Sequence, residues 1–92
     1  MEVRITPHAR ERFVERGGRI MQRLAEVAFQ HGALLNDKEM RIMFEKGIFK
    51  DNFWGSEYRK HLGLIWVFRR NRGYLILVTV LHPHFLVSRL VS

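Results

Sequence analysis

The chain has no cysteine among its 92 residues, and this absence removes several kinds of chemistry. Without thiols there is no disulfide, no thiolate zinc site and no cysteine nucleophile. Long apolar runs are missing too, since LGLIWVF and YLILVTVL are far shorter than the roughly 20 residues that span a bilayer. The first residues, MEVRITPHAR, lack the apolar core of a signal peptide. We therefore expect a cytoplasmic protein with no membrane span.

Acidic residues are missing from the last third of the chain. Ten basic and nine acidic residues nearly cancel up to Glu57, whereas residues 58–92 contain no acid. The basic residues there are Arg59, Lys60, Arg69, Arg70, Arg72 and Arg89. The net charge of +7 thus comes mainly from one part of the chain, and arginines outnumber lysines twelve to four. A one-sided basic field implies a polyanionic partner, and guanidinium groups suit bidentate contacts with phosphate.

The rest of the composition is typical of a folded domain. Hydrophobic residues make up 47% of the chain, which excludes a disordered tail. A chain of this length has room for one modest core, and the sequence contains neither an internal repeat nor a low-complexity linker. We expect a single domain over residues 1–92. RNA or DNA is the favoured polyanion, and the alternative is a basic face that serves solubility alone.

The stretch ITPHARERFVERGG, at residues 5–18, is typical of a capped helix. The hydroxyl of Thr6 suits the N-cap, a proline suits the first helical position, and the glycine pair suits the end. Within the predicted helix, His8, Arg12 and Arg16 recur every four residues and share one face. Like charges at this spacing destabilise a helix unless an anion such as phosphate neutralises them. The alternative is a solvated face on which neighbouring glutamates supply the counter-charge.

A second helix is predicted over residues 19–31, RIMQRLAEVAFQH, because apolar residues recur there at helical spacing before a glycine. The following segment, residues 33–58, allows two interpretations. Asn36 followed by Glu39 forms a capping box that would open a helix ending at Lys46. The apolar alternation in MRIMF instead predicts a strand, which we favour.

Strands are predicted at both ends of the chain. EVRI, at residues 2–5, suits a short strand. YRKHLGLIWVFRR and YLILVTVLH are two long apolar runs joined by NRG, a hairpin turn with its glycine where positive φ is needed. We expect residues 62–70 to pair antiparallel with residues 74–82 in the middle of a sheet, because both runs are apolar on both faces. The predicted fold class is α+β, with N-terminal helices packed on an antiparallel sheet.

Two stretches, HARERFVERG near the start and LGLIWVFRRNRGYLILVTVL near the end, resemble the RelE/BrnT-like toxin group. The closest resemblance is to domains that open with a His-Ala-x-x-Arg-x-x-x-Arg-Gly-type helix and end in a Thr-Val strand. The resemblance implies the barnase–EndoU–colicin–RelE type of fold, with helices on an antiparallel sheet. It also implies metal-independent endoribonuclease activity without a cofactor, and an acidic antitoxin protein as partner.

The residues fit the chemistry of that activity, which needs a base for the ribose 2′-hydroxyl, an acid for the leaving oxygen and cations on the phosphate. Histidine suits either proton transfer, and arginine suits the phosphate. The candidate catalytic residues are His8, Arg12, Arg69, Thr79 and His82, of which Thr79 depends mainly on the resemblance. The candidate nucleic-acid contacts are Arg16, Arg59, Lys60, Arg70, Arg72 and Tyr58. We expect His8 and Arg12 at the surface, within reach of the same phosphate as Arg69 or Arg70, and no metal or cofactor.

Two further functions stay open. The chain could be a nucleic-acid-binding module of the same fold without catalysis, or an assembly protein whose aromatic segment IFKDNFWGSEY docks a partner. A histidine variant that loses cleavage but keeps RNA affinity separates the enzyme from the binding module. A steep loss of nucleic-acid affinity with salt separates both from the assembly protein.

Overall fold

A computed structural model of the protein describes residues 2–14, 21–47 and 55–82. This part of the chain forms a mixed α+β fold, which confirms the predicted class. In chain order the elements are β1 (Glu2–Ile5), α1 (Pro7–Val14), α2 (Met21–His31), β2 (Ala33–Leu34), α3 (Asp37–Glu45), β3 (Ser56–His61), β4 (Leu64–Asn71) and β5 (Tyr74–Leu81). None of the helices in these ranges is long and apolar enough to cross a membrane.

The five strands form one sheet in the order β1-β5-β4-β3-β2. The two apolar strands β4 and β5 occupy its middle, as predicted. β1 pairs with β5 in parallel, so the sheet is mixed, and the prediction of a wholly antiparallel sheet is wrong. The physical reason is chain connectivity. Hairpins force antiparallel pairing on adjacent strands, whereas β1 and β5 are separated by most of the chain and are free to pair in parallel.

Thr6 begins the first helix and ties it to the sheet. Its Oγ1 accepts a hydrogen bond of 3.1 Å from the backbone N–H of Ala9 and donates one of 2.9 Å to the carbonyl of Val78. Its backbone N–H donates to the carbonyl of Leu77 at 3.2 Å. Pro7 is the first helical residue, so both parts of the predicted cap are confirmed. The predicted helix covers residues 7–16, and residues 15 and 16 lie outside the described residues.

The predicted strand in the middle of the chain is wrong, because residues 37–45 form helix α3. The capping box is complete: Asn36 Oδ1 accepts from the Glu39 N–H at 2.8 Å, and the Asn36 N–H donates to Glu39 Oε1 at 3.0 Å. The neighbours Ile42 and Met43 are both buried. Burial of two successive residues against one layer fits a helix and not a half-exposed strand, so the alternation was misleading.

The run YRKHLGLIWVFRR contains a hairpin that its composition conceals. β3 ends at His61 and β4 begins at Leu64, with Leu62 and Gly63 at φ values of 50° and 71° between them. Two-residue hairpin loops favour positive φ at both positions. Gly63 suits this, but leucine seldom adopts positive φ, so the turn has only half of the usual sequence signal. The predicted hairpin at NRG is confirmed, with Gly73 at a φ of 74°. The antiparallel pairing of β4 with β5 is confirmed and runs from Ile65 opposite Leu81 to Asn71 opposite Tyr74. On β4 it begins three residues later and ends one residue later than predicted, and on β5 it stops one residue earlier.

Apolar side chains pack on both faces of the sheet. On one, which we call the α1/α2 face, Ala9, Ala25 and Ala28 of the two helices pack with strand residues that include Trp66 and Phe68. On the other, the α3 face, residues around the third helix pack with neighbouring strand positions. That second cluster comprises Leu35, Ile42, Met43, Tyr58, Ile65 and Val67. Successive residues of β4 therefore point to opposite faces, which fixes the direction of the charged residues at its end.

Candidate nucleic-acid interface

Strand register places three charged side chains together on the α1/α2 face. Glu57 lies opposite Phe68, and Arg59 lies opposite Trp66. Arg70 follows Phe68 by two residues along β4. Residues directly opposite or two apart share a face of the sheet, so all three side chains point towards the helices.

Phe29 of α2 is the ring on which the two arginines converge. The Cζ atom of Arg59 lies 4.5 Å from the ring centroid, and that of Arg70 lies 5.4 Å from it. The ring is held edge-to-face against Phe68, with centroids 5.4 Å apart and an interplanar angle of 76°. Contacts between guanidinium groups and aromatic rings at these distances are attractive. We call Arg59 and Arg70 the Phe29 arginine pair.

Glu57 supplies the counter-charge for this pair. Its Oε1 accepts a hydrogen bond of 2.7 Å from Arg70 Nε, and its Oε2 lies 3.7 Å from Arg59 Nη2. The Arg70 side chain is 55% exposed, whereas that of Arg59 is 16% exposed. Arg70 is therefore the member of the pair that a ligand in solution reaches first.

Two polar atoms in this cluster are buried without a hydrogen-bond partner, namely Arg59 Nε and Glu57 Oε2. The rest of the Arg59 guanidinium is fixed, because Nη1 donates to the carbonyl of Gly32 at 3.1 Å, just after α2 ends. Buried polar atoms are nearly always paired in proteins. The unpaired atoms show that Glu57 satisfies the arginines only in part.

Two other predicted contacts, Lys60 and Arg72, lie apart from the Phe29 arginine pair. Lys60 is opposite Ile65 and so points to the α3 face. Lys60 Nζ bonds Glu39 Oε2 at 2.6 Å. Burial tends to raise the pKa of Glu39, but the hydrogen bond from Lys60, the backbone bond at Asn36 and the charge of Lys60 lower it overall. Arg72 lies exposed in the β4–β5 turn, where its N–H donates to Asn71 Oδ1 at 2.8 Å. Lys60 is thus engaged within the protein, and Arg72 faces solvent.

The structure describes His8 fully, but not the other two residues predicted to share its face of α1. His8 is in the first turn of α1, on the α1/α2 face, and its side chain is exposed as expected. Arg12 belongs to the same helix, but its side chain is outside the described part of the structure. Arg16 lies wholly outside the described residues. His82 is exposed directly after β5.

The other catalytic candidates lie elsewhere. Arg69 alternates with Phe68 and Arg70, so it points to the α3 face, away from the face that carries His8. Thr79 is 2% exposed, and its hydroxyl has no hydrogen-bond partner. In this arrangement the structure brings neither of them to a phosphate at His8.

Tyr58 is not available for stacking on a base, because only 1% of it is exposed. Burial raises the pKa of its hydroxyl, while a hydrogen bond with Ser56 and the charge of Arg69 oppose that rise. A ring without an exposed face cannot stack on a nucleobase. The structure therefore places Tyr58 in the core, where sequence reasoning had it at the surface.

Sequence reasoning missed Phe29 and Glu57. Glu57 is the last acid before the basic region and stands two residues before Arg59, a spacing that puts both side chains on one face of a strand. That signal was present in the sequence. Phe29 carried no comparable signal, because its position over β3 and β4 depends on how α2 crosses the sheet.

Within the described ranges, no group of three or more histidine, aspartate or glutamate side chains is placed to hold a metal ion. Comparison of the chain with protein-family models, with curated proteins and with solved structures found no match in any of the three.

Proposed function

We propose that this protein binds RNA and is a small, metal-independent endoribonuclease of the toxin type, with a RelE-like fold and an acidic antitoxin protein as partner. The observation that carries the RNA binding is the Phe29 arginine pair. It holds two guanidinium groups side by side, that of Arg70 exposed and that of Arg59 mostly buried, in a chain whose last third has no acid. Arginines fixed in this way suit the planar, multidentate recognition of phosphate.

Cleavage is supported by His8 and by the motif in which it stands. The imidazole is exposed on α1, whose start is fixed to β5 through Thr6. A positioned histidine can take the proton of a ribose 2′-hydroxyl or give one to the leaving 5′-oxygen. Attack by the 2′-hydroxyl on the adjacent phosphorus expels that oxygen and leaves a 2′,3′-cyclic phosphate, without an activated water or a metal.

A binding module without catalysis is the second candidate, and the placement of Arg69 and Thr79 favours it. Arg69 points to the face opposite His8, and Thr79 is buried. Two of the five predicted catalytic residues are therefore not gathered around the histidine. RNA binding is common to both candidates, and only the cleavage step separates them.

The test is incubation of the purified protein with mixed RNA in EDTA, followed by analysis of the product ends. The enzyme leaves 2′,3′-cyclic phosphates, and a substrate with deoxyribose at the scissile position binds but resists cutting. His8→Gln removes cleavage with little change in RNA affinity. The matched control is His31→Gln, which changes an exposed histidine at the end of α2 and keeps full activity.

Three results would count against this proposal. A requirement for a divalent ion, or equal cleavage of DNA, would exclude the 2′-hydroxyl mechanism. Tight RNA binding with no cleavage by the wild-type protein would select the binding module.

A further inference from the structure

We propose that the Phe29 arginine pair binds one RNA phosphate, at a binding site that we call the seat. In the free protein the Glu57 carboxylate occupies this seat, and the phosphate displaces it on binding. This inference rests on the RNA binding proposed above and specifies where on the protein a phosphate lies. It assigns Glu57 as an internal competitor of the ligand.

The seat is shaped by the aromatic ring. Both guanidinium groups lie over Phe29, and this shared contact brings their N–H donors close together on one face of the sheet. Contact with Phe68 fixes the ring, and the bond to Gly32 fixes Arg59. Donors held in this way lose little side-chain entropy when an anion binds.

Glu57 fills the seat incompletely. It makes one short bond, at 2.7 Å to Arg70, whereas its other oxygen lies 3.7 Å from Arg59 and has no hydrogen bond. Arg59 Nε also lacks a partner. A phosphate has two non-bridging oxygens and accepts readily from two arginines at once, so it can satisfy donors that the carboxylate leaves unpaired. The Glu57 side chain is 28% exposed and so is able to leave towards solvent.

The chain contains a matched control for this site. On the other side of the sheet, Arg4 lies 3.8 Å from the ring centroid of Tyr74 and pairs with Glu2 at 2.8 Å. This is also a glutamate, an arginine and an aromatic ring, but it has one guanidinium and both charged side chains are about 60% exposed. Glu2→Gln thus removes the same charge as Glu57→Gln without opening a two-arginine seat.

The experiment measures binding of a short fluorescein-labelled polyuridine by anisotropy at fixed salt. Glu57→Gln tightens binding about fivefold, the size expected when one competing, partly exposed ion pair is lost. Glu2→Gln changes affinity by less than about twofold, as expected for one distant surface charge. In an Arg70→Gln background, the gain from Glu57→Gln falls to that of Glu2→Gln, because the seat has lost one of its two donors. Thermal melting by circular dichroism checks that each variant is folded.

The outcomes separate failure of the Glu57 inference from failure of RNA binding itself. Equal effects of Glu57→Gln and Glu2→Gln, or a Glu57→Gln gain that survives in the Arg70→Gln background, would overturn this inference while RNA binding stands. A gain for polyglutamate without a gain for polyuridine would assign the seat to acidic proteins and overturn it too. Failure of the wild-type chain to bind polyuridine at any salt would instead remove the proposed function itself.

Discussion

Thr79 has two possible roles, as a catalytic residue or as a buried residue of the core. The resemblance to toxin-type ribonucleases makes it a catalytic candidate, whereas the structure buries it opposite Val67 with no hydrogen bond to its hydroxyl. A buried hydroxyl without a partner destabilises the folded state, because it has lost its bonds to water and gained none.

We therefore expect Thr79→Val, which replaces the hydroxyl by a methyl group of similar size, to raise the free energy of unfolding by about 1 kcal/mol. Urea denaturation followed by circular dichroism measures this change. Thr79→Ser keeps the hydroxyl and loses the methyl, so it lowers stability instead. Loss of RNA cleavage in a stable Thr79→Val protein would restore the catalytic assignment.

At the scale of the elements, the end of α2 packs closely against β3 at Gly32. A Cβ atom added to Gly32 would collide with the carbonyl oxygen of Ala28, and would lie 3.1 Å from Arg59 Cβ and 3.2 Å from the Lys60 carbonyl. A glycine is therefore required at position 32, because there is no room for a side chain. The same close approach lets Arg59 Nη1 donate to the Gly32 carbonyl.

Gly32→Ala should lower the free energy of unfolding by about 2 kcal/mol, since the clash is with backbone and cannot be relieved by moving a side chain. It should also weaken polyuridine binding, because Arg59 is displaced with the helix end. Gly63→Ala is the comparison: a Cβ there meets nothing within 4 Å, and only its φ of +71° is unfavourable. A Gly32→Ala protein as stable as the wild type would show that α2 does not pack this closely on β3.

The elements that could be predicted from the sequence are those with local chemical signals. Thr6 with Pro7 marked the start of α1, and the glycine of NRG marked the β4–β5 turn. The capping box of Asn36 was also a correct local signal, and it was outweighed by an apolar alternation that a helix accommodates equally well. The parallel pairing of β1 with β5 had no local signal at all, because it depends on residues more than 70 positions apart.

At the scale of the whole molecule, the sequence predicts the segregation of charge along the chain but not which basic residues form one site. The order of residues places the excess of basic over acidic charge in the last third of the chain, but strand register decides which basic residues share a face. Arg59 and Arg70 meet over Phe29, while Arg69, next in sequence to Arg70, points the other way. A count of arginines therefore overstates the number available to one ligand.

This restriction gives a quantitative expectation for RNA binding. If Arg59 and Arg70 together hold one phosphate and Arg72 holds a second, the logarithm of the association constant falls with the logarithm of salt concentration with a slope of about −1.4. The affinity for polyuridine then drops roughly sevenfold for a fourfold rise in salt. Arg72→Gln makes the slope shallower by about 0.7, because one contact is lost. Lys38→Gln, which changes an exposed residue of α3, leaves the slope unchanged. A salt-independent affinity would mean that the basic residues make no phosphate contacts, and would favour the assembly protein that docks a partner through the segment IFKDNFWGSEY.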